Sequence, residues 1–294
     1  MPRLGSLSLS KGTSIQKQTT VRLHCVLLTD PAPRLGSLSN VEGSNHKREH
    51  RVVRLGTGPV DYKGSLGWQL RLPFFLHGGN MKIHCIQTGP FGVNTYLVEM
   101  PEKKCFIVDP AACKFTRDTE KFSAYLESTG LTPVAIVLTH GHFDHVSGLK
   151  FLREKYPDIP IYIHKEDSVM IGADSGRVQG PGLEAMGFED FVPAVSDLPG
   201  ATGFLDDGKI LFGTYRVIHT PGHTKGSCCL YNEKEKVLIS GDTLFYGTWG
   251  RTDLPGGSEV EMMQSLSLIK EKIPGNTLVY PGHDYFGFEL REGM

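Results

Sequence analysis

Cysteine is scarce in this sequence, and its few copies follow no pairing pattern. Six cysteines occur among 294 residues, and none of them forms a CxxC pair. A framework of disulfides is therefore not expected, since disulfide-rich domains have a much higher density of paired cysteines. The low cysteine content indicates a reducing compartment, and the cytoplasm is the expected location.

Long apolar runs and an excess of basic residues are also missing. No run of about 18 apolar residues exists that could cross a membrane, and the first 25 residues lack the apolar core of a secretory signal. The formal net charge of −1 hides an asymmetry between two parts of the chain. Residues 1–80 carry eleven Lys and Arg and four Asp and Glu, whereas residues 81–294 carry twenty Lys and Arg and twenty-eight Asp and Glu, a net charge of −8. Phosphate binding needs clustered Lys and Arg. Neither a membrane nor a nucleic acid is therefore expected as a partner.

The segment 1–80 differs from the rest of the chain in composition. It contains the heptapeptide PRLGSLS twice, at 2–8 and 33–39, and it is rich in Ser, Gly and basic residues. We expect a low-complexity, disordered extension. Two alternatives are an Arg- and Ser-rich transit peptide, which would indicate mitochondria, and a start of translation at Met81. A catalytic domain is expected over 81–294.

From Met81 onward, short apolar strands alternate with amphipathic helices, which is typical of α/β proteins. Strands are predicted at 93–98, 105–108, 134–138, 161–163, 209–212, 215–218, 228–231, 237–240 and 277–280. A helix is predicted at about 118–129, and a capping box of Ser258 and Glu261 predicts another with apolar positions Val260, Met263, Leu266 and Ile269. The Gly- and Pro-rich stretch 172–208 is predicted to form a surface loop that lies over the functional site.

Four potential metal ligands follow the predicted strand 134–138 within six residues: His140, His142, Asp144 and His145. Burying such groups without partners costs on the order of several kcal/mol each, so they are not expected to be ordinary core residues. Imidazole and carboxylate are ligands for Zn, Fe, Ni and Mn. Alternate residues of an extended segment share a face, so His140 and His142 can hold one ion. Asp144 and His145, at the start of the next helix, can turn toward a second.

Three further candidates each follow a predicted strand: His223 in PGHT, Asp242 in GDT and His283 in PGHD. A glycine stands beside each of them and permits the tight turn that aims the side chain. Because all three lie where a strand ends and a loop begins, we expect them at the edge of an α/β sandwich where sites assemble.

The order HxHxDH, PGHT, GD and PGH resembles the metallo-β-lactamase superfamily over about residues 81–284. The stretches GPFGVNTYLV, IVDPA, HTPGHTKGS and GDTLFYGTWGRTDLPGG are similar to the glyoxalase II-like branch, which comprises hydroxyacylglutathione hydrolases and their short bacterial relatives. The resemblance implies an αββα four-layer sandwich. It also implies one metal held by His140, His142 and His223, a second held by Asp144, His145 and His283, and Asp242 bridging both.

The activity that the resemblance implies is hydrolysis of a small acyl thioester such as S-acylglutathione. A hydroxide shared by two divalent ions, Zn first and Fe or Mn as alternatives, would attack the acyl carbonyl, and Asp144 would hold the hydroxide in orientation. Asp109 matches the family's strand-end Asp and is expected to support the ligands or the fold. Arg251 is expected to contact a substrate carboxylate, since its fork of donors suits that group.

Two features depart from full-length glyoxalase II. Arg251 and Asp253 stand where those enzymes have Lys and Tyr, and their C-terminal helical domain, which supplies basic groups for glutathione, is not expected here. Two alternatives therefore stay open. One is a persulfide dioxygenase with a single iron on His140, His223 and Asp242. The other is a nuclease, because RNA-processing nucleases share HxHxDH, although the acidic body disfavours it.

Overall fold

The computed structural model describes residues 82–294. The predictions made for 1–80, including the transit peptide and the alternative start at Met81, lie outside the described residues. Within the described part, no helix is both long and apolar enough to cross a membrane.

The first of two sheets has six strands in sequential order, antiparallel at its start and parallel thereafter. Its strands are β1 (Ile83–Thr88), β2 (Val93–Met100), β3 (Lys104–Val108), β4 (Thr132–Val137), β5 (Ile161–Ile163) and β6 (Gly203–Phe204). Since β3, β4 and β5 are parallel, the loops that follow them meet at one edge of the sheet.

The second sheet begins as an antiparallel meander. Its strands are β7 (Ile210–Leu211), β8 (Tyr215–His219), β9 (Cys228–Asn232), β10 (Val237–Gly241), β11 (Leu278–Pro281) and β12 (Phe288–Glu289). Strand β11 pairs with β10 in parallel, and β8 runs in the same direction as both because β9 is antiparallel to each neighbour. The loops after β8, β10 and β11 therefore also share one edge.

Helices cover the outer face of each sheet. They are α1 (Thr119–Thr129), α2 (Phe143–Val146), α3 (Leu149–Lys155), α4 (Ser175–Ala185), α5 (Val192–Val195), α6 (Glu259–Lys272) and α7 (Leu290–Gly293). One apolar cluster joins α1, α3 and α4 to the first sheet, a second fills the space between the sheets, and a third joins α6 to the second sheet. Three clusters between four layers make the αββα sandwich that the sequence predicted.

The prediction that 172–208 forms a loop was wrong, although part of the stretch does lie at the functional site, since Met186 and Phe188 line a cleft there. The stretch contains α4 and α5, and Pro181 lies inside α4. Packing overrides the poor helix propensity of its Gly and Pro residues. Leu183 is fully buried in the first cluster, and the Gln179 side chain donates a hydrogen bond of 2.7 Å to the carbonyl of Met170.

Candidate metal centre

Loops from both sheets bring together all seven predicted metal ligands. The first sheet supplies four of them from the segment between β4 and α2, and the second sheet supplies one from each of the loops after β8, β10 and β11. Six are buried, and the side chain of His283 is 19% exposed. Among residues 82–294, three overlapping groups could hold a metal ion, and two of them are the triplets that the resemblance implied.

The first ligand set consists of His140, His142 and His223. Their ligand atoms lie within 4.8 Å of one another, and Nδ1 of His142 is 2.8 Å from Nε2 of His223. Two nitrogens bound to one tetrahedral zinc ion at about 2.0–2.1 Å would lie about 3.3–3.4 Å apart, so these rings are close enough to share an ion after a small separation. Nε2 of His140 is buried and has no hydrogen-bond partner. A buried nitrogen without a partner fits a ligand whose metal is needed to satisfy it.

The second ligand set consists of Asp144, His145 and His283. Nε2 of His145 lies 3.2 Å from Nε2 of His283, and Oδ2 of Asp144 lies 3.3 Å from Nε2 of His283. Two imidazoles and one carboxylate form a donor set that Zn, Fe and Mn accept.

Asp242 lies between the two sets. Its Oδ1 is 3.5 Å from Nε2 of His145, while its Oδ2 is 3.5 Å from Nε2 of His223 and 3.6 Å from Nε2 of His283. Oδ1 is buried without a hydrogen-bond partner. One carboxylate thus faces nitrogens of both sets, which is the placement that a bridging ligand requires.

The partners of the remaining ring nitrogens orient the ligands. Nδ1 of His145 lies 3.0 Å from Oδ2 of Asp109, and Nδ1 of His223 donates to the carbonyl of Arg251 at 2.7 Å. In each ring Nε2 is therefore the nitrogen that faces the site. Asp109 belongs to the third possible group, with His140 and His145. The Asp109 carboxylate already accepts hydrogen bonds from Thr139 and His145. We therefore assign Asp109 the role of orienting the His145 ring rather than that of a metal ligand.

The pKa values of the clustered side chains are shifted in different directions. Burial and the neighbouring imidazoles hold the pKa of His140 well below its ordinary value. Burial lowers the pKa of His145, but Asp242 and Asp144 outweigh it and hold that pKa well above the ordinary value. Burial raises the pKa of Asp242, but His145 and His283 outweigh it and keep the carboxylate ionised. The site therefore concentrates carboxylate charge where cations would lie.

Sequence reasoning missed Asp167, which follows β5 in a short 3₁₀ helix. Its buried carboxylate accepts hydrogen bonds from the N–H of Gly141 at 2.9 Å, the N–H of Gly226 at 2.8 Å and the hydroxyl of Thr224 at 2.6 Å. Gly141 separates His140 from His142, and Thr224 follows His223. Asp167 thus ties together the two loops that carry the first ligand set. In the sequence it is one acid among the charges of HKED and gives no such signal.

Two residues of β2 hold the loop that carries His283, and the sequence did not single them out. The Asn94 amide donates to the carbonyls of Pro281 at 3.0 Å and Asp284 at 3.2 Å, and the Tyr96 hydroxyl donates to Pro281 at 2.6 Å. The available signal was a polar Asn in the mostly apolar stretch 93–98 of the strand.

A cleft of about 650 Å³ opens on the ligands, and Arg251 lies on its wall. The Arg251 guanidinium forms a two-pronged ion pair with Asp253, with distances of 2.7 and 2.8 Å. The structure therefore brings Arg251 to the cleft but pairs its charge with a neighbour. Its contact with a substrate carboxylate stays a prediction.

Comparison with known proteins relates this chain to a single family. The family described as the metallo-beta-lactamase superfamily matches residues 88–283. A probable metallo-hydrolase, YqgX, of Bacillus subtilis is 36% identical over 69% of this chain and 90% of its own length. A hydroxyacylglutathione hydrolase of Klebsiella pneumoniae is 34% identical over 62% of this chain, which corresponds to 58% of that enzyme.

Solved structures show the same relationship. The BLEG-1 B3 metallo-beta-lactamase matches with a TM-score of 0.61 and 30% identity, over 72% of this chain and 95% of its own. TTHA1623 in a di-iron-bound form matches with a TM-score of 0.57 and 34% identity, over 70% of this chain and 94% of its own.

Proposed function

Because this chain belongs to the metallo-beta-lactamase superfamily and resembles its metal-dependent hydrolases, we propose that it hydrolyses small acyl thioesters, S-acylglutathione among them, at a two-metal centre. The observation that carries the proposal is the pair of complete ligand sets, each of three residues, with Asp242 facing both. The similarity to a hydroxyacylglutathione hydrolase supports the thioester as the substrate.

The donor atoms fit divalent metals, with His140, His142 and His223 holding one ion and Asp144, His145 and His283 the other. We propose zinc, with iron or manganese as alternatives, since nitrogen and oxygen donors suit all three. The similar protein TTHA1623 is described in a di-iron-bound form, which supports iron as an alternative to zinc. When bound, two such ions lower the pKa of a shared water toward 7 and polarise a carbonyl oxygen.

Groups of this chain have two tasks in the proposed reaction. Asp144 accepts a hydrogen bond from the attacking water and keeps it oriented toward the acyl carbon. Asp109 and the Arg251 carbonyl hold His145 and His223 with Nε2 toward the site. The water oxygen forms a bond to the acyl carbon, the bond between that carbon and sulfur breaks, and the products leave as a carboxylate and a thiolate while the two protons of the water pass to solvent. The thiol's pKa of about 8.5 means that no strong general acid is needed.

The test combines metal analysis with turnover of S-lactoylglutathione. We expect two metal ions per chain and turnover by protein loaded with Zn, Fe or Mn but not by metal-free protein. Asp242→Asn should lower turnover by more than the roughly 10- to 100-fold that loss of a supporting residue costs. Asp118→Asn is the matched control, because Asp118 is also a buried carboxylate but accepts from Gly89 and Cys113, away from the ligands.

A different set of results would favour the persulfide dioxygenase instead. One iron per chain, oxygen uptake with glutathione persulfide and no thioester turnover would replace the proposal by the dioxygenase that uses His140, His223 and Asp242. The close approach of His145 and His283 in the second set supports the two-metal alternative.

A further inference from the structure

One wall of the cleft beside the metal centre is apolar. It is formed by four side chains: Phe91, Phe143, Met186 and Phe188. The ring of Phe91 meets the rings of Phe143 and Phe188 edge to face, with centroid distances of 5.6 and 5.1 Å. Aromatic pairs prefer this geometry, so the three rings support one another. We call these four residues the aromatic wall.

The aromatic wall is fixed to the core at one end and open at the other. Phe143 stands between His142 and Asp144 in the chain, and its ring packs against the buried Phe191 at 5.7 Å. Phe91 lies on the turn between β1 and β2 and is 43% exposed. A large apolar side chain that is left exposed beside a functional site is typical of a binding surface.

The charges around the cleft disfavour an anionic occupant. Among the described residues that line it, Arg251 is the only Lys or Arg, and Asp253 already pairs with its guanidinium. Asp284 lines the cleft as well. A substrate arm with two carboxylates, such as that of glutathione, would meet no unpaired Lys or Arg side chain among the described lining residues, whereas an uncharged apolar arm would cover the exposed rings.

We propose, on the basis of the proposed hydrolase function, that the preferred substrates carry an apolar acyl group that lies on the aromatic wall. This acyl group is a chain of several carbons or an aromatic ring. The wall begins beside the ligands of the metal centre, so the acyl chain can extend along it while the carbonyl faces those ligands. The substrate class is then thioesters with apolar acyl groups, with S-lactoylglutathione a poor member of it.

The first experiment is a series of thioesters of one small uncharged thiol, N-acetylcysteamine, from acetyl through butanoyl and hexanoyl to benzoyl. Apolar burial makes each added methylene worth about threefold to fourfold in kcat/KM until the wall is covered. We expect the change mainly in KM, because the wall contacts none of the reacting atoms.

Variants of the wall identify its contribution. Phe91→Ala and Phe188→Ala should flatten the series by raising KM for the long acyl groups, with little change for acetyl and no change in metal content. Phe188→Leu should retain most of the dependence of KM on the length of the acyl group. Phe204→Ala is the matched control, because Phe204 on β6 is 42% exposed but does not line the cleft.

A binding measurement separates failure of this inference from failure of the proposed function. Calorimetry with unreactive thioethers of increasing chain length should show an increasingly negative heat-capacity change that Phe188→Ala removes. If no thioester is turned over, the hydrolase proposal fails, and thioether binding alone decides on the wall. If thioesters are turned over but the acyl series is flat, depends only on the thiol, or responds equally to Phe204→Ala, the wall inference is overturned and the hydrolase stands.

Discussion

Asp109 shows how one side chain outside the ligand sets can control a ligand. It adopts a left-handed backbone conformation with φ of 48°, and it accepts from both the N–H and the hydroxyl of Thr139 as well as facing Nδ1 of His145. Partners of this kind fix the tautomer and the ring orientation of a metal-binding histidine. Asp109 therefore acts directly on the second ligand set through His145, and reaches His140 of the first set only indirectly, through the Thr139 hydroxyl.

Asp109→Asn should weaken metal binding at the second ligand set by about 10- to 100-fold while the first set retains its ion. Asn tolerates the left-handed conformation, so the backbone can stay in place while the charged acceptor for His145 is lost. Chelator competition followed by elemental analysis would count the metals retained. Asp118→Asn is the control and should lower the melting temperature without changing the metal count. Equal loss of both ions from Asp109→Asn would contradict this assignment.

Residue type and spacing were sufficient to predict that the seven candidate ligands lie together, because their chemistry leaves few other uses for so many clustered imidazoles. The same reasoning could not find Asn94 or Asp167. Asp167 reaches Gly226 across 59 residues, and Asn94 reaches Pro281 across 187. Neither contact has a local pattern, since only the packing of the two sheets brings these positions together.

At the scale of elements, the site depends on loops that are fastened to one another. Asp167, after β5, fixes the loop after β4 and the loop after β8. Burial raises the pKa of its carboxyl, and the hydrogen bonds from Thr224, Gly226 and Gly141 offset only part of that effect. A buried acid that satisfies two backbone N–H groups at once defines how far apart those loops can lie.

Asp167→Asn should affect the first ligand set, in contrast to Asp109→Asn. An amide can accept from one of the two N–H groups but presents its own donors to the other partners, so one loop is released. We expect about tenfold weaker binding of the first ion and a loss of roughly 1–3 kcal/mol in the free energy of unfolding. Site-selective metal competition and denaturant unfolding would measure the two effects. Glu166→Gln removes an adjacent but exposed carboxylate and should change neither; weakening confined to the second set would refute the role assigned to Asp167.

Helix α6 shows which part of an element the sequence could predict. Ser258 caps it as expected, accepting from the N–H of Glu261 at 3.3 Å. Leu266 and Ile269 are buried as part of its inner face, but Met262 completes that face, and Val260 is 69% exposed. Capping is a local interaction and can be read from the sequence. Which face of the helix is buried depends on how the helix packs on the second sheet. The spacing of its apolar residues is compatible with more than one buried face.

For the molecule as a whole, the candidate metal centre joins the two sheets. Four candidate ligands come from the first sheet and three from the second, and each ligand set includes residues of both. Metals bound to such sets cross-link the two halves of the sandwich, since neither set is complete in the unfolded chain. Binding free energy at these sites therefore becomes folding free energy.

Removing the metals should lower the melting temperature, and more so at higher pH. Free metal at 1,000 times Kd contributes about 4 kcal/mol, which corresponds to roughly 8–16 °C for a domain of this size. In metal-free protein the raised pKa values of His145 and His283 favour the fold at low pH, a contribution that is lost as pH rises through the folded-state values, whereas the lowered pKa values of His140 and His142 act in the opposite direction, so the two pairs offset each other. Metal binding strengthens as pH rises, because it requires deprotonated imidazoles. Calorimetric scans with and without chelator at about pH 6 and about pH 8 should therefore show the gap in melting temperature widening with pH. A constant gap would mean that the ions do not bind through these histidines.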